Sequence, residues 1–351
     1  MAHALDLAWR GWGRVQPNPL VGAVVLQGGE LVGEGWHAEY GDRHAETVAL
    51  AGAGERARGG TLVVTLEPCS HQGKQPPCTE AIIRSGIRRV VAGIPDPNPL
   101  AAGGSQRLND AGIEFELGSL ADMAAAQNAI FLHTVRDPGR PFIALKLATS
   151  FDGRIADALG RSRWISGQES RDYVQWLRAG FDAIAVGGRT ARFDDPSLTV
   201  RGSVLPRVAP KRVVFDRAAD LSPQLTLVRT AGETPTLVVV GPEADPARTK
   251  RLEVAGVRVL QARNLIEALG SLRQEGVKSL LVEGGGQLAG ALLAGAWVDR
   301  YYWLQAPLWL GDDAVPALAG LPSRELEQAQ RWRVVERRAL GEDTLVVLDR
   351  L

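Results

Sequence analysis

Three residues constrain this chain more than any other feature: His44, Cys69 and Cys78. If they close on one zinc ion, segments far apart in sequence must meet at a point. One imidazole nitrogen and two sulfurs leave the fourth tetrahedral position open for water, the mark of a catalytic zinc rather than a structural one. Glu46, in His44-Ala45-Glu46, is not needed as a ligand and is free to move protons. The chain has only two cysteines, and both fall in this set. A disulfide between them would leave His44-Ala45-Glu46 unexplained, so reduced thiols on a metal are the simpler reading.

The pattern His44-x-Glu46 followed by Pro68-Cys69 and Cys78 is that of zinc deaminases acting on amino-heterocycles. The predicted elements suit it. His44 and Glu46 fall in the first turn of a helix over His44–Ala53, Cys69 follows a strand over Thr61–Leu66, and Cys78 opens a helix over Cys78–Ser85. Unpaired N–H groups at helix starts favour thiolate over thiol. Between the cysteines, Ser70 to Pro77 is longer than the two-residue spacer usual in nucleoside deaminases. It adds His71 and Lys74, groups that suit an anionic, phosphorylated small molecule. Asn18, in Pro17-Asn18-Pro19, and His37 are further candidates for substrate contact.

A chain of 351 residues is too long for one small domain, so two are expected. Its 40 basic and 40 acidic residues balance, which argues against broad electrostatic capture of nucleic acid. Met1 to Asp6 carries an early acid and no apolar signal segment, and no apolar run is long enough to cross a membrane. A cytoplasmic protein with no membrane or nucleic-acid partner is expected. The polar hinge Asp137-Pro138-Gly139-Arg140-Pro141 sets the domains at residues 1–139 and 140–351.

Both halves alternate strand and helix, the pattern of α/β layers. The first half adds a helix at Ala2–Arg10, a hairpin of strands at Leu20–Leu26 and Leu31–Trp36, and a strand at Arg88–Ile94. A further helix, strand and helix reach about His133. In the second half, strands are predicted at Phe142–Leu147, Ala183–Gly187, Arg212–Phe215, Thr236–Val240, Val257–Leu260, Ser279–Val282, Arg300–Gln305 and Thr344–Leu348. Helices are predicted at Glu169–Ala179, Arg248–Ala255, Leu265–Glu275 and Gln287–Leu293. Gly284-Gly285-Gly286-Gln287-Leu288-Ala289 satisfies G-x-G-x-x-A, which lets backbone approach a pyrophosphate at a helix start. It lies late in its domain rather than after the first strand, so an ordinary Rossmann unit is not supported, and a plain tight turn weighs as much.

The long blocks Pro17-Asn18-Pro19-Leu20-Val21-Gly22-Ala23, Thr65 to Lys74 with Pro76-Pro77-Cys78, and Asp96-Pro97-Asn98-Pro99 resemble the deaminase half of the bifunctional riboflavin-biosynthesis deaminase-reductases, the RibD/RibG family. Lys146 to Ala156, Trp164-Ile165-Ser166, Asp194 to Arg201 and Glu283-Gly284-Gly285 resemble the reductase half in the same order. The resemblance implies an N-terminal cytidine-deaminase-like three-layer domain and a C-terminal dihydrofolate-reductase-like domain. It implies zinc on His44, Cys69 and Cys78, Glu46 as proton shuttle, and substrate contacts from Asn18, His37, His71 and Lys74. It implies NADPH against Ala148, Trp164, Thr190, Asp194 and the run Gly285, Gly286, Gln287, Leu288, Ala289, Gly290 and Ala291. It places the ribosyl-phosphate substrate against Ser162, Arg178, Leu198, Arg201 and Glu283, with Lys146 helping to position it. The implied chemistry is hydrolytic deamination of a 2,5-diaminopyrimidinone ribosyl phosphate, followed by NADPH-dependent reduction of the ribosyl to a ribityl chain. A homo-oligomer, dimer or tetramer, is also expected.

The chain departs from the family's usual pattern in three places. Ala101 to Ser105 is one residue shorter and lacks a basic residue, Phe151 replaces leucine, and Arg217 stands where a small hydroxyl residue is common. An arginine near the adenosine end favours NADPH over NADH. Of the nine tryptophans, Trp164 has a motif behind it, whereas Trp9, Trp176, Trp303 and Trp309 read as core or interface. Three rival readings are a nucleoside or tRNA deaminase with an unrelated tail, a deaminase with an inactive second half, and a zinc-stabilised binding module. The long cysteine spacer, the balanced charge, the intact second-half blocks and the free Glu46 argue against them.

Overall fold

A computed structural model describes all of residues 1–351. The chain divides into two compact units, Met1–Asp137 and Pro138–Leu351.

The first unit contains helices α1 (Ala2–Ala8), α2 (Ala45–Ala53), α3 (Cys78–Ser85), α4 (Gly104–Asp110), α5 (Ala121–Gln127) and α6 (Ala129–Arg136). Its strands are β1 (Gly22–Gln27), β2 (Glu30–Trp36), β3 (Thr61–Leu66), β4 (Arg89–Ile94) and β5 (Glu114–Leu117). They form one sheet in the order β2-β1-β3-β4-β5. β1 runs antiparallel to β2 and β3, and β3, β4 and β5 run parallel. Side chains alternate across a strand, so each strand feeds two cores. Ala23, Val25, Leu62 and Val64 pack with Ala49, Leu50 and Ile82 from α2 and α3. Val24 and Val63 face the other way and pack with Ala4 and Leu7 of α1. Helices on both faces of one sheet make the three layers expected. Close approach of α1 needs Gly22, where a Cβ would lie 1.9 Å from the Ala4 carbonyl oxygen.

The second unit contains β6 (Phe142–Thr149), β7 (Arg154–Ala156), α7 (Gln168–Ala179), β8 (Ala183–Gly187), α8 (Gly188–Asp194), β9 (Lys211–Phe215), α9 (Thr226–Arg229), β10 (Thr236–Val240), α10 (Pro246–Val254), β11 (Arg258–Gln261) and α11 (Leu265–Gln274). It continues through β12 (Ser279–Glu283), α12 (Gly286–Ala294), β13 (Arg300–Gln305), β14 (Val315–Pro316), β15 (Trp332–Leu340) and β16 (Asp343–Arg350). Nine strands form one sheet in the order β11-β10-β9-β8-β12-β6-β13-β16-β15, and β14 pairs with β7 apart from it. The first seven run parallel, whereas β16 and β15 are antiparallel additions. Parallel strands covered on both faces read as continuous apolar runs, as Thr236–Val240 does. Leu145, Val213, Leu237 and Val239 pack on one face, and Ile184, Val214, Val238 and Val240 on the other.

Arg212 interrupts β9 with a charge that is 1% exposed. Its guanidinium donates to Thr236 Oγ1 at 2.9 Å, Thr230 Oγ1 at 2.7 Å and the Thr234 carbonyl at 2.8 Å. It also reaches the carbonyls of Thr230 and Leu227. The fork thus closes the turn between α9 and β10. Arg212→Met leaves those acceptors buried without their donor, and is expected to lower unfolding free energy by roughly 3 kcal/mol. Urea unfolding of parent and variant, monitored in the second unit, checks this.

Candidate active sites

The first site is built by local chain geometry. His44 has extended backbone and serves as the N-cap of α2, which puts Glu46 in the first turn, 4% exposed. Cys78 is the first residue of α3, and Cys69 follows β3 through Glu67 and Pro68. His44 Nδ1 lies 3.2 Å from Cys78 Sγ and 3.6 Å from Cys69 Sγ, and all three donor atoms lie within 4.8 Å of one another. Donors on one tetrahedral zinc sit about 3.5–3.8 Å apart, from Zn–N and Zn–S lengths of about 2.1 and 2.3 Å. The nitrogen and two sulfurs present therefore fit zinc in both type and spacing.

Electrostatics agrees with ligation. The Cys69 thiol is pulled down to about 4, first by the hydrogen bond it shares with Cys78 and further by His44. The Cys78 N–H also points at Cys69 Sγ, at 3.4 Å. Cys78 is held up as the other end of that shared proton. A divalent cation replaces the proton. Burial pushes the Glu46 carboxyl up, and His44 pulls it partly back. A carboxyl raised in this way can hold a proton and release it.

Around this centre, Asn18 Nδ2 lies 3.1 Å from His37 Nε2, and His37 Nδ1 lies 3.2 Å from the Arg43 carbonyl. The carbonyl can only accept, so Nδ1 carries the proton and Nε2 accepts from Asn18. Burial lowers His37, which keeps the ring neutral. Its ring centroid lies 5.5 Å from that of His44. His71 and Lys74 lie on the loop between the cysteines. Lys74 Nζ sits 4.0 Å above the Tyr40 ring, and His71 Nδ1 is buried without a hydrogen-bond partner.

The shortened Ala101–Ser105 segment is a wall of this site. Ala101 packs against Cys69 and Cys78. Ser70 Oγ donates to the Ala102 carbonyl at 2.7 Å. The Glu67 carboxylate accepts from the Ser105 N–H at 2.8 Å and the Asp96 N–H at 3.3 Å. Glu67 and Ser70 were not singled out by sequence reasoning. The available signal was an acid directly before Pro68-Cys69, in an otherwise apolar strand end. Gly104 is required here, because a Cβ would lie 1.9 Å from the Pro68 carbonyl oxygen. Gly104→Ala is expected to push Pro68 and hence Cys69 off the site, so that the variant loses zinc to a chelator at least several-fold faster than the parent. Metal analysis over a chelation time course measures it.

The second site is a cleft of about 1420 Å3 in the second unit. Of the expected cofactor residues, Ala148, Trp164, Thr190, Asp194, Gly285, Gly286, Gln287, Leu288 and Ala291 line it. Ala289 and Gly290 do not. Ala289 is fully buried in the core, and Gly290 lets α12 approach the Ala319 carbonyl, 2.1 Å from where a Cβ would lie. Gly284 and Gly285 have φ of +75° and +87°, so they make the sharp turn from β12 into α12. A Cβ at Gly285 would stand 3.2 Å from Thr190 Oγ1, inside the cradle. Bare backbone before a helix start, in a cleft of this size, fits a dinucleotide.

The expected substrate residues Lys146, Ser162, Arg178, Leu198, Arg201 and Glu283 all line the cleft. Arg178 clasps Glu283 with two bonds, Nε–Oε1 at 2.5 Å and Nη2–Oε2 at 2.9 Å. Its Nη1 donates to the Thr199 carbonyl. Burial alone would raise Glu283, but Arg178 and then Lys146 hold it below the usual carboxylate range. Burial lowers the Lys146 ammonium, and Glu283 partly restores it. Arg178 is thus occupied by Glu283, whereas Arg201 is exposed and lines the cleft. Trp164 is 70% exposed with the Arg171 guanidinium 4.7 Å from its ring centroid.

Comparison with known proteins agrees with this geometry. Residues 1–94 match the family model of the cytidine and deoxycytidylate deaminase zinc-binding region, and residues 141–346 match that of the RibD C-terminal domain. The riboflavin biosynthesis protein RibD of Aquifex aeolicus is 39% identical over 351 residues, covering 100% of this chain and 97% of its own. That of Escherichia coli is 40% identical, covering 99% and 98%. Among solved structures, Acinetobacter baumannii RibD superposes with a TM-score of 0.81 at 36% identity, covering 100% of this chain and 97% of that one. The diaminohydroxyphosphoribosylaminopyrimidine deaminase/5-amino-6-(5-phosphoribosylamino)uracil reductase of Thermotoga maritima gives 0.83 at 34%, with the same coverage.

Proposed function

This chain belongs to the RibD family of riboflavin-biosynthesis deaminase-reductases, and from that premise we propose that it deaminates a diaminopyrimidinone ribosyl phosphate and then reduces the product. Residues 1–139 carry the first step and residues 140–351 the second. The convergence of His44, Cys69 and Cys78 beside a buried Glu46 is the observation that carries this reading.

In the first step, water adds to the ring carbon bearing the exocyclic amine, and ammonia leaves. Bound zinc supplies the Lewis acidity that makes water a nucleophile at neutral pH. Glu46 takes the proton of the attacking water and returns it to the departing nitrogen. Asn18 and the neutral His37 hold the edge of the pyrimidinone, while Lys74 and His71 meet the phosphate on the loop between the cysteines. In the second step, NADPH held against Thr190, Gly285 and Gly286 would supply the hydride that reduces C1′ of the sugar. Lys146, its ammonium weakened by burial, gives a proton to the sugar oxygen released at C1′, and the ribosyl group opens to a ribityl chain. Glu283 and Ser162 orient the hydroxyls, and Arg201 takes the phosphate.

We further infer a cytoplasmic homo-oligomer, dimer or tetramer. No helix is long and apolar enough to cross a membrane. An aromatic pair supports the subunit contact: Trp309, 71% exposed, and Phe151, 55% exposed, have ring centroids 4.9 Å apart. Ammonia release from the ribosyl phosphate, compared with cytidine, tests the substrate class. The phosphorylated diaminopyrimidinone is deaminated and cytidine is not; the reverse preference would favour a nucleoside deaminase.

A further inference from the structure

We propose that Arg217 reads the 2′-phosphate of the dinucleotide, and that Asp216, the adjoining acid, is held out of cofactor binding. This rests on the NADPH reading above and assigns its selectivity to one side chain.

β8, β9 and β10 are parallel neighbours, and residues at their carboxyl ends, Gly187, Asp216 and Val240, open onto the cleft. Ligands of parallel sheets bind beyond such ends. A free acid there hydrogen-bonds the ribose 2′-hydroxyl and repels a 2′-phosphate, whereas an arginine accommodates the phosphate. The chain places both residue types side by side after β9, so their partners decide between them.

Asp216 is spent within the protein. It is 5% exposed. Its Oδ1 accepts from Arg192 Nη1 at 3.1 Å, and its Oδ2 accepts from the Asp220 N–H at 2.6 Å. It also packs onto Gly188 so closely that a Cβ there would lie 2.6 Å from Oδ1. Both oxygens thus accept from within the protein, and with its side chain 6% exposed Asp216 shows little of itself to the cleft. Arg217 is the opposite case. It is exposed, lines the cleft, and donates from Nη1 to the Arg263 carbonyl at 3.2 Å. That bond lays the guanidinium across the end of β10, where Gly241 leaves room; a Cβ at Gly241 would come within 3.4 Å of Nη2. A carbonyl orients the fork without neutralising its charge. Arg192, also on the cleft, gives its Nη1 to Asp216, whose carboxylate offsets its charge. A planar fork held this way matches a phosphate dianion better than a hydroxyl.

The test is equilibrium binding of NADP+ and NAD+ to the full-length zinc-loaded protein by calorimetry, with no turnover. The parent prefers NADP+. Arg217→Gln weakens NADP+ roughly 10- to 100-fold and leaves NAD+ within about twofold, so the preference collapses. Arg217→Lys, which keeps charge but not the fork, falls between. Adenosine 2′,5′-bisphosphate follows NADP+ through the series, and 5′-AMP does not. The proposal is overturned if Arg217→Gln binds NADP+ as tightly as the parent. It is equally overturned if both dinucleotides weaken alike, which would make Arg217 a contact to the adenine or pyrophosphate. A parent that binds neither dinucleotide would instead sink the reductase reading itself.

Discussion

Replacing Glu46 with glutamine is expected to slow ammonia release by roughly three orders of magnitude, in line with the loss of a positioned general acid–base. The substitution is nearly isosteric, and Glu46 is not among the three residues whose donor atoms converge to a possible metal site. Zinc content should therefore stay at parent level. Reduction of separately supplied deaminated substrate should also be unchanged, because Lys146, Arg178 and Glu283 belong to the second unit. Three readouts on one variant separate proton transfer from metal loss and from misfolding. If zinc fell with ammonia release, Glu46 would be a structural support of the site instead of its proton carrier.

Arg178→Met should produce the largest stability loss in the second unit. Arg178 and Glu283 are 11% and 10% exposed and doubly bonded. Removing one partner of such a buried pair leaves the other charge uncompensated, at roughly 3–5 kcal/mol. The pH dependence gives a signed check. In the parent, Glu283 is held below the usual carboxylate range, so its contribution is full above that range and is lost as pH falls through the lowered value. In the variant the main opposing charge is gone, and burial drives Glu283 upward despite Lys146. The folded variant then takes up a proton more readily than the unfolded chain, so the stability gap to the parent narrows as pH falls from 8 towards 5. Denaturant unfolding at several pH values measures the gap. Adding Glu283→Leu to Arg178→Met should recover part of the loss, because it removes the stranded charge; no recovery would mean the clasp acts through packing alone.

Much of this architecture was legible in the sequence because the signals are local. Thr61–Leu66, Cys78–Ser85, Ala183–Gly187 and Thr236–Val240 fall where apolar runs and helix starts put them. The missed elements lack that signal. β15 is an edge strand with most side chains exposed, so charged residues such as Arg333, Glu336 and Arg337 blur any alternation. β7 is three residues long. α8 begins at Gly188 without a side-chain cap and is closed after Asp194 by Asp195, with φ of +38°. The convergence of His44, Cys69 and Cys78 could be expected because their chemistry is carried by residue type and order. The clamp formed by Glu67, Ser70 and the Ala101–Ser105 segment joins residues 31 to 38 positions apart, which no local pattern announces. The same is true of Arg192 and Asp216, 24 apart, whose pairing engages one oxygen of that acid. Ala289 and Gly290 show the converse. They extend a glycine-rich string that looks like a cofactor turn, yet serve helix packing.

The most direct test of the two-site account is a staged assay on the purified, zinc-loaded chain with the diaminopyrimidinone ribosyl phosphate. Ammonia would be followed first, and NADPH absorbance after cofactor is added. The account predicts ammonia release without cofactor, then loss of NADPH in proportion to the ammonia already formed. NADPH loss without prior ammonia, or ammonia with no NADPH loss, would contradict it.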